Sequence, residues 1–408
     1  MKGYVLAAGE GLRMRPLTSN IPKPLLPVAG RPFLEHNIEA LKESGIKDII
    51  LLVGWRANRI REHFGDGKEF GVKIEYVEQE ERLGTAHAIG MIKDLVDAPF
   101  LCLYGDVVLT KESVAGLVEH YKKVKGNVMA LTTVEDPRRY GMVITEAGVV
   151  KDIIEKPEEP ETNTVNAGAY VLGPQIFEAI AETKKSPRGE FEITDSFKIL
   201  MKKTHIYTHV LKGEWIDVAR PWDLIEANRI LMEGLESDIK GEVSDKATVI
   251  GHIRVGKGTK VLPGSYIQGP VIIGESCEIG PSCYIRPSTS IGDHCKIGNA
   301  VEVKNSIIMN RTKVPHLSYV GDSVIGERCN LGAGTKIANL RLDEKEISVI
   351  VDGRKTPSGR RKLGVIMGDD VKTGINASID VGTIIGEGTA IGMGAVVRGT
   401  IAPGSRIF

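Results

Sequence analysis

Hydrophobic residues follow two different rhythms along this 408-residue chain. Up to about residue 228, short apolar runs at 4–8, 48–53, 73–78, 100–104 and 128–134 read as strands, and the patterns at 32–44 and 85–95 between them read as helices. Strands spaced by helices predict an α/β, Rossmann-like domain over 1–228 with parallel strands, whose ligands gather at the strand carboxyl ends. Gly9, Gly54, Gly84 and Gly105 stand where those ends fall. A helical pattern at 223–235 leads out of the domain, and a linker helix is expected over 229–246.

From 247 to 408 the helical period is gone. An aliphatic residue recurs at every sixth position instead, at Val249, Val255, Val261, Ile267, Ile273, Ile279, Ile285, Ile291, Ile297 and Val303, often with Gly straight after it, as at Gly256, Gly274, Gly280, Gly292 and Gly298. Such hexapeptide repeats build a parallel β-helix, in which one aliphatic residue per face points inward and stacked coils bury a continuous core. The beat is lost in KVPHLSYVGD (313–322) and resumes in a shifted frame at Ile325, Leu331 and Ile337. The spacing therefore predicts an interrupted coil that pushes a loop off the flat face around His316.

The cysteines follow the same beat. Cys277, Cys283, Cys295 and Cys329 each come four residues after a beat residue, a small-residue packing position, and C-x5-C is not a zinc spacing. They read as buried structural thiols, as does Cys102 inside an apolar run. Lys plus Arg and Asp plus Glu both total 53, so no global basic surface argues for nucleic acid or an anionic membrane. The expected partners are small molecules or other protein chains. No uncharged apolar run approaches the ~18 residues of a membrane span, and the first run is too short for a secretion signal, so a soluble cytoplasmic protein is expected. The only glutamines, Gln79, Gln175 and Gln268, lean toward a thermophile's composition.

The opening LAAGEGLRMRPLTSNIPKPLLPV places Gly9 and Gly11 after the first strand, with Arg13 and Lys23 beyond. The two glycines let backbone N–H groups approach phosphates, and the two cations supply fixed charge as a pyrophosphate leaves. A dinucleotide fingerprint is not formed, because Met14 stands where its last Gly belongs. With VEQEERLGTAHA, LYGDV, RRYGMV, IIEKP, VNAGAY and WIDV following in order, residues 1–228 resemble the sugar-1-phosphate nucleotidylyltransferases. The resemblance implies that a nucleoside triphosphate, UTP or dTTP, is joined to a sugar 1-phosphate with release of pyrophosphate. It implies catalytic roles for Arg13 and Lys23, and nucleotide contacts at Leu6, Gly9, Gly11, Gln79, Gly84 and Thr85. Sugar-phosphate contacts fall on Gly141, Glu155, Lys156 and Asn166, and Mg²⁺ ligation on Asp106 and Asp217.

The repeat domain resembles the left-handed β-helix acyltransferases. Its TKVPHLSYVGDSVIGERCNLGAG is similar to the acetyltransferase half of the bifunctional N-acetylglucosamine-1-phosphate uridylyltransferase/glucosamine-1-phosphate acetyltransferases. That resemblance implies a homotrimer, His316 as general base, and phosphate binding by Arg286 and Lys304. Tyr319 and Asn330 correspond to sugar-site residues, Ala333 and Asn339 to positions near acetyl-CoA. A neutral His suits proton removal from an attacking amine. A charged segment, LRLDEKEISVIVDGRKTPSGRRKLGVIMGDD, follows Asn339, and its Lys345, Lys355, Arg360 and Arg361 read either as replacement phosphate contacts or as a solvated hairpin. The principal reading is a bifunctional enzyme. The alternatives are a single-activity UTP/dTTP:glucose-1-phosphate nucleotidylyltransferase with a trimerising or regulatory β-helix, and a non-catalytic sugar-nucleotide-binding subunit, which the intact Arg13, Lys23, Asp106 and Asp217 oppose.

Overall fold

A computed structural model describes residues 1–351 and 353–408; Asp352 and the side chain of Ile216 lie outside the description. The chain forms two compact units that do not divide at a single point. One contains residues 1–10, 22–25 and 33–217, the other 11–21, 26–32 and 218–408.

The first unit is built on a nine-stranded sheet. Its strands are β1 (Gly3–Leu6), β2 (Asp48–Val53), β3 (Lys73–Glu78), β4 (Phe100–Tyr104), β5 (Asn127–Thr133), β6 (Gly141–Glu146), β7 (Val149–Glu155), β8 (Thr164–Leu172) and β9 (Ile206–Val210), in the order β3-β2-β1-β4-β8-β5-β9-β7-β6. The first four are parallel, as the alternation of strands and helices predicts. The all-parallel expectation fails beyond them, since β8 runs antiparallel to both β4 and β5. Neighbouring residues on each strand face opposite cores: Val5, Leu51, Leu101 and Leu103 bury on one side, and Tyr4, Ile50, Leu52 and Cys102 on the other. A sheet apolar on both faces must be covered twice. Helices Phe33–Glu43 and Lys111–Val124 supply one cover, and Ile176–Glu182 and Ile193–Leu200 the other.

The second unit is a left-handed β-helix with three faces of parallel strands, nine on the first and second and eight on the third. The beat residues stack inward in register, Val255 on Ile273, Val261 on Ile279 and Ile267 on Ile285. Each buried aliphatic side chain contributes about 1.5–3 kcal/mol, so stacking stabilises coils that could not stand alone. Cys277, Cys283, Cys295 and Cys329 are buried free thiols inside this core, and Cys102 is buried in the first unit. The first strand, Asp238–Ile239, lies within the span expected as a linker, where the helix Asp223–Leu231 has already ended.

The broken beat has a different cause from the one the spacing predicts. The coil is not interrupted, because Ile308, Val314 and Val320 occupy the inward positions and are at most 1% exposed. What changes is the corner after the third face: five rather than six positions separate Val303 from Ile308, and Val320 from Ile325. On the next coil the same corner opens into the inserted segment, which forms an antiparallel hairpin of Ile347–Val351 and Arg354–Arg360. This hairpin is not merely solvated. Ile347 and Val349 are buried, and an added Cβ on Gly382 would lie 2.7 Å from Ile347.

The second unit also holds residues 11–21 and 26–32. Ser19 Oγ donates to Glu387 Oε2 at 3.0 Å, and the Ala29 amide donates to Asn228 Oδ1 at 2.8 Å. Asn228 in turn donates to the Ser288 carbonyl at 2.9 Å, while Ala29, Met232, Leu235 and Ile272 form a small apolar cluster.

Candidate active sites

In the first unit, the carboxyl ends of the four parallel strands collect the expected nucleotide residues. Leu6 ends β1, and its carbonyl accepts from the Gly105 amide at 3.0 Å, just beyond β4. Gln79 follows β3, is 8% exposed, and its amide nitrogen meets His87 Nδ1 at 3.1 Å. Gly84 takes φ +112°, and a Cβ there would lie 2.5 Å from the Phe191 carbonyl oxygen. Only glycine fits that approach. Gly9 is exposed beyond the end of β1.

Asp106 lies just past β4. Lys23 Nζ, largely shielded from water, stands 2.9 Å from its Oδ2. The short strand Ile216–Asp217 pairs antiparallel with Val107–Val108 and puts Asp217 opposite Val107, next to Asp106 in register. Asp106 and Asp217 are oxygen donors of the kind Mg²⁺ takes, one or two carboxylates with the shell completed by water and phosphate oxygens. Among the described residues no cluster of three or more His, Cys, Asp or Glu side chains could hold a metal, so an all-protein cage of the zinc kind is not formed there.

The expected sugar residues meet on the neighbouring strands. Gly141 pairs with Glu155 across β6 and β7, and Val165 of β8 pairs with Met142. Asn166 Nδ2 donates to the Tyr170 hydroxyl at 2.7 Å, which donates to the Tyr104 hydroxyl at 3.2 Å. Burial holds both phenols well above their usual pKa, so they are neutral donors and acceptors. Burial also raises the Glu155 carboxyl, against the pull of Lys156 and Arg188 and with help from Glu192. Arg188 bridges Glu155 at 3.3 Å and Glu192 at 2.7 Å. Tyr104, Tyr170 and His87 are parts that the sequence reading passes over, whereas Glu192 falls in RGEFEITD (188–195), a segment that resembles the family's own. Tyr104 stands two residues before Asp106 in LYGDV, a proximity that could have drawn notice.

Gly11 and Arg13 belong to the second unit. Arg13 lines a cavity of about 530 Å³ there, together with Pro16, Trp222, Ile350 and Ile401.

The residues expected for acetyl transfer divide between two places on the β-helix. Arg286, Lys304, Tyr319 and Asn339 gather on the third face and the corner after it. Tyr266, Tyr284, Glu302, Tyr319 and Lys336 stack one above another there. Arg286 Nη1 bonds Glu302 Oε1 at 2.9 Å, and Lys304 Nζ reaches Asp322 Oδ2 at 3.2 Å. Burial raises the Tyr319 phenol, with Asp322 and Glu302 adding to the effect. His316 ends a second-face strand, exposed, opposite Asn299, while Asn330 stacks between Lys313 and Lys372 on that same face. At the corner after the second face, the Gly334 amide donates to the His316 carbonyl at 3.2 Å and the Asn376 amide to the Ala333 carbonyl at 2.8 Å. Exposed Leu317, Ile375 and Met393 continue that corner as an apolar edge.

A nucleotidyl transferase family model matches residues 2–234, and a GMPPB C-terminal domain model matches residues 267–403. The bifunctional protein GlmU of Methanocaldococcus jannaschii is 41% identical over 409 residues, covering 100% of this chain and 97% of its own. The chain belongs to the bifunctional GlmU family. A second GlmU-like relative, the bifunctional sugar-1-phosphate nucleotidylyltransferase/acetyltransferase of Sulfurisphaera tokodaii, is 40% identical and covers 99% of both chains. Among solved structures, a UDP-glucose pyrophosphorylase complexed with UDP-glucose matches with TM-score 0.52 and 27% identity, over 57% of this chain and 100% of its own. GlmU-family membership thus accounts for both units, a nucleotidyltransferase fold and a β-helix in one chain.

Proposed function

We propose that this GlmU-family chain makes UDP-N-acetylglucosamine in two steps: acetyl transfer from acetyl-CoA to glucosamine 1-phosphate, then uridylyl transfer from UTP with release of pyrophosphate. The observation that carries the reading is that each compact unit has its own charged site, Lys23 with Asp106 and Asp217 in the first, Arg286, Lys304 and Tyr319 in the second.

In the first site Asp106 and Asp217 would hold Mg²⁺, which would supply charge neutralisation for the phosphates when bound. Lys23 orients the phosphates, while Gln79 reads the pyrimidine edge and Leu6, Gly9, Gly84 and Thr85 line the nucleotide; Gly11 and Arg13 keep only the phosphate and pyrophosphate roles that the family resemblance gives them. Gly141, Glu155, Lys156 and Asn166 place the sugar phosphate so that its oxygen attacks in line. No protein nucleophile is needed, since positioning and electrostatics suffice for such transfer.

In the second site Arg286 and Lys304 bind the sugar phosphate, and Tyr319 and Asn330 the sugar. His316 takes a proton from the amine as nitrogen bonds to the acetyl carbon. The carbon–sulfur bond breaks and the proton passes to the departing thiolate. Ala333 and Asn339 sit near the acyl donor, and the apolar edge of Leu317, Ile375 and Met393 suits its pantetheine arm. The β-helix assembles as a homotrimer with these sites between subunits, and the enzyme works in the cytoplasm.

The test is coenzyme A release from acetyl-CoA and glucosamine 1-phosphate, run beside pyrophosphate release from UTP and N-acetylglucosamine 1-phosphate. His316→Ala abolishes the first and leaves the second. An absence of coenzyme A release from the wild type overturns the bifunctional reading. Parallel assays with dTTP, glucose 1-phosphate and galactosamine 1-phosphate fix the base and sugar.

A further inference from the structure

The two shortened corners have a chemical product. Removing one residue after Val303 and another after Val320 tightens successive turns, and Asn305 and Asp322 take the left-handed conformation there, at φ +45° and +49°. The tightened turn carries the Asp322 carboxylate inside, where the residue is 2% exposed. Three side chains converge on it. Lys304 Nζ approaches Oδ2 at 3.2 Å, Asn339 Nδ2 donates to Oδ2 at 2.5 Å, and Asn305 Nδ2 donates to Oδ1 at 2.7 Å. The backbone locks the residue in place: its amide donates to the Lys304 carbonyl at 2.9 Å and its carbonyl accepts from the Gly364 amide at 2.8 Å. Next to it, Gly321 leaves room for two functional groups to meet, because a Cβ there would lie 2.6 Å from the Tyr319 hydroxyl and 2.7 Å from Asn339 Nδ2.

A buried carboxylate is costly unless it is paired and hydrogen-bonded, and this one is both. Its donors are not structural bystanders. Lys304 and Asn339 are two of the residues placed in the acetyl-transfer site above, and Tyr319 is their neighbour. We infer that Asp322 is the positioning residue of that site, fixing the Lys304 ammonium for the sugar phosphate and the Asn339 amide beside Tyr319, and that the broken hexapeptide beat exists to bury it. The inference rests on the acetyltransferase reading. Neutral asparagine at this position cannot serve: it offers one acceptor oxygen to three donors and turns its own N–H groups toward at least one of them.

The experiment is a double-mutant cycle on the full-length protein with Asp322→Asn and Lys304→Ala, reading KM and kcat for glucosamine 1-phosphate, uridylyl transfer, and Tm. Asp322→Asn is expected to raise KM about tenfold, the scale of one charge-assisted hydrogen bond, with a smaller change in kcat and with uridylyl transfer unchanged. In the Lys304→Ala background the same substitution has little further effect on KM, because the two residues act as one. An unchanged KM with a lowered Tm makes Asp322 purely structural and overturns the inference. Additive effects on KM also overturn it, since Asp322 then does not act through Lys304. A wild type without acetyl transfer fails the functional reading itself, a separate outcome visible before any variant is made.

Discussion

Lys23 illustrates how a single charge is set for its task. Its ammonium is mostly shielded from water and lies against the Asp106 carboxylate, and in the proposed role such a fixed charge needs no reorganisation during transfer. Lys23→Ala is expected to lower kcat of uridylyl transfer about 10²- to 10³-fold, measured as pyrophosphate release, while acetyl transfer is retained. Gly84 is set by space rather than charge. Gly84→Ala forces a side chain to φ +112° against the Phe191 backbone, and a loss of about 1–3 kcal/mol is expected in chemical denaturation, with weakened UTP binding by calorimetry. Lys23, Asp106 and Asp217 could be named from the sequence because PKP, LYGDV and WIDV follow one another in the order of the family they resemble. Asp322 was not, although YVGD was in plain view. A carboxylate becomes a hub only when a turn one residue shorter carries it inside, and that is a property of three coils together.

Among the elements, the inserted hairpin departs most from its sequence reading. Its charges, Lys345, Lys355, Arg360 and Arg361, dominate the segment, and all but the largely shielded Arg360 are exposed, yet the strand ISVIV alternates and buries Ile347 and Val349. Arg360 also reaches Glu226 at 3.8 Å. The alternation was readable; the charge run masked it. Val349→Ala removes apolar area from a packed site, and Ile347→Ala removes more, so the latter is expected to cost about 2–5 kcal/mol in denaturant unfolding of the β-helix. A hairpin lying free in solvent would show no such loss. The hexapeptide coils were the most legible elements, because a six-residue beat has one geometric solution. The antiparallel half of the sheet was the least, since strand direction depends on crossovers that local pattern does not encode.

On the scale of the whole molecule, the thiols report integrity. All five cysteines are buried, and burial pushes Cys329 up to about 12. A thiol reagent is expected to label the native protein slowly and to titrate five thiols per chain once it is denatured, and fast native labelling would contradict the buried β-helix core. Equal positive and negative charge also predicts lowest solubility near neutral pH at low salt, measurable by turbidity. The division of the chain into compact units was not legible, because residues 11–21 and 26–32 find their partners, Glu387 and Asn228, hundreds of positions away.

That interleaving bears on how such a chain can be cut and rejoined. A fragment ending at 228 keeps the signature loop but loses the surface on which it folds, so it is expected to aggregate on expression, whereas a point substitution is not. For the same reason a hybrid of two relatives cannot be made by one crossover. The stretch around Ser19 and Ala29 has to come from the same parent as the coils, and inheritance of the front of the gene is tied to inheritance of its end.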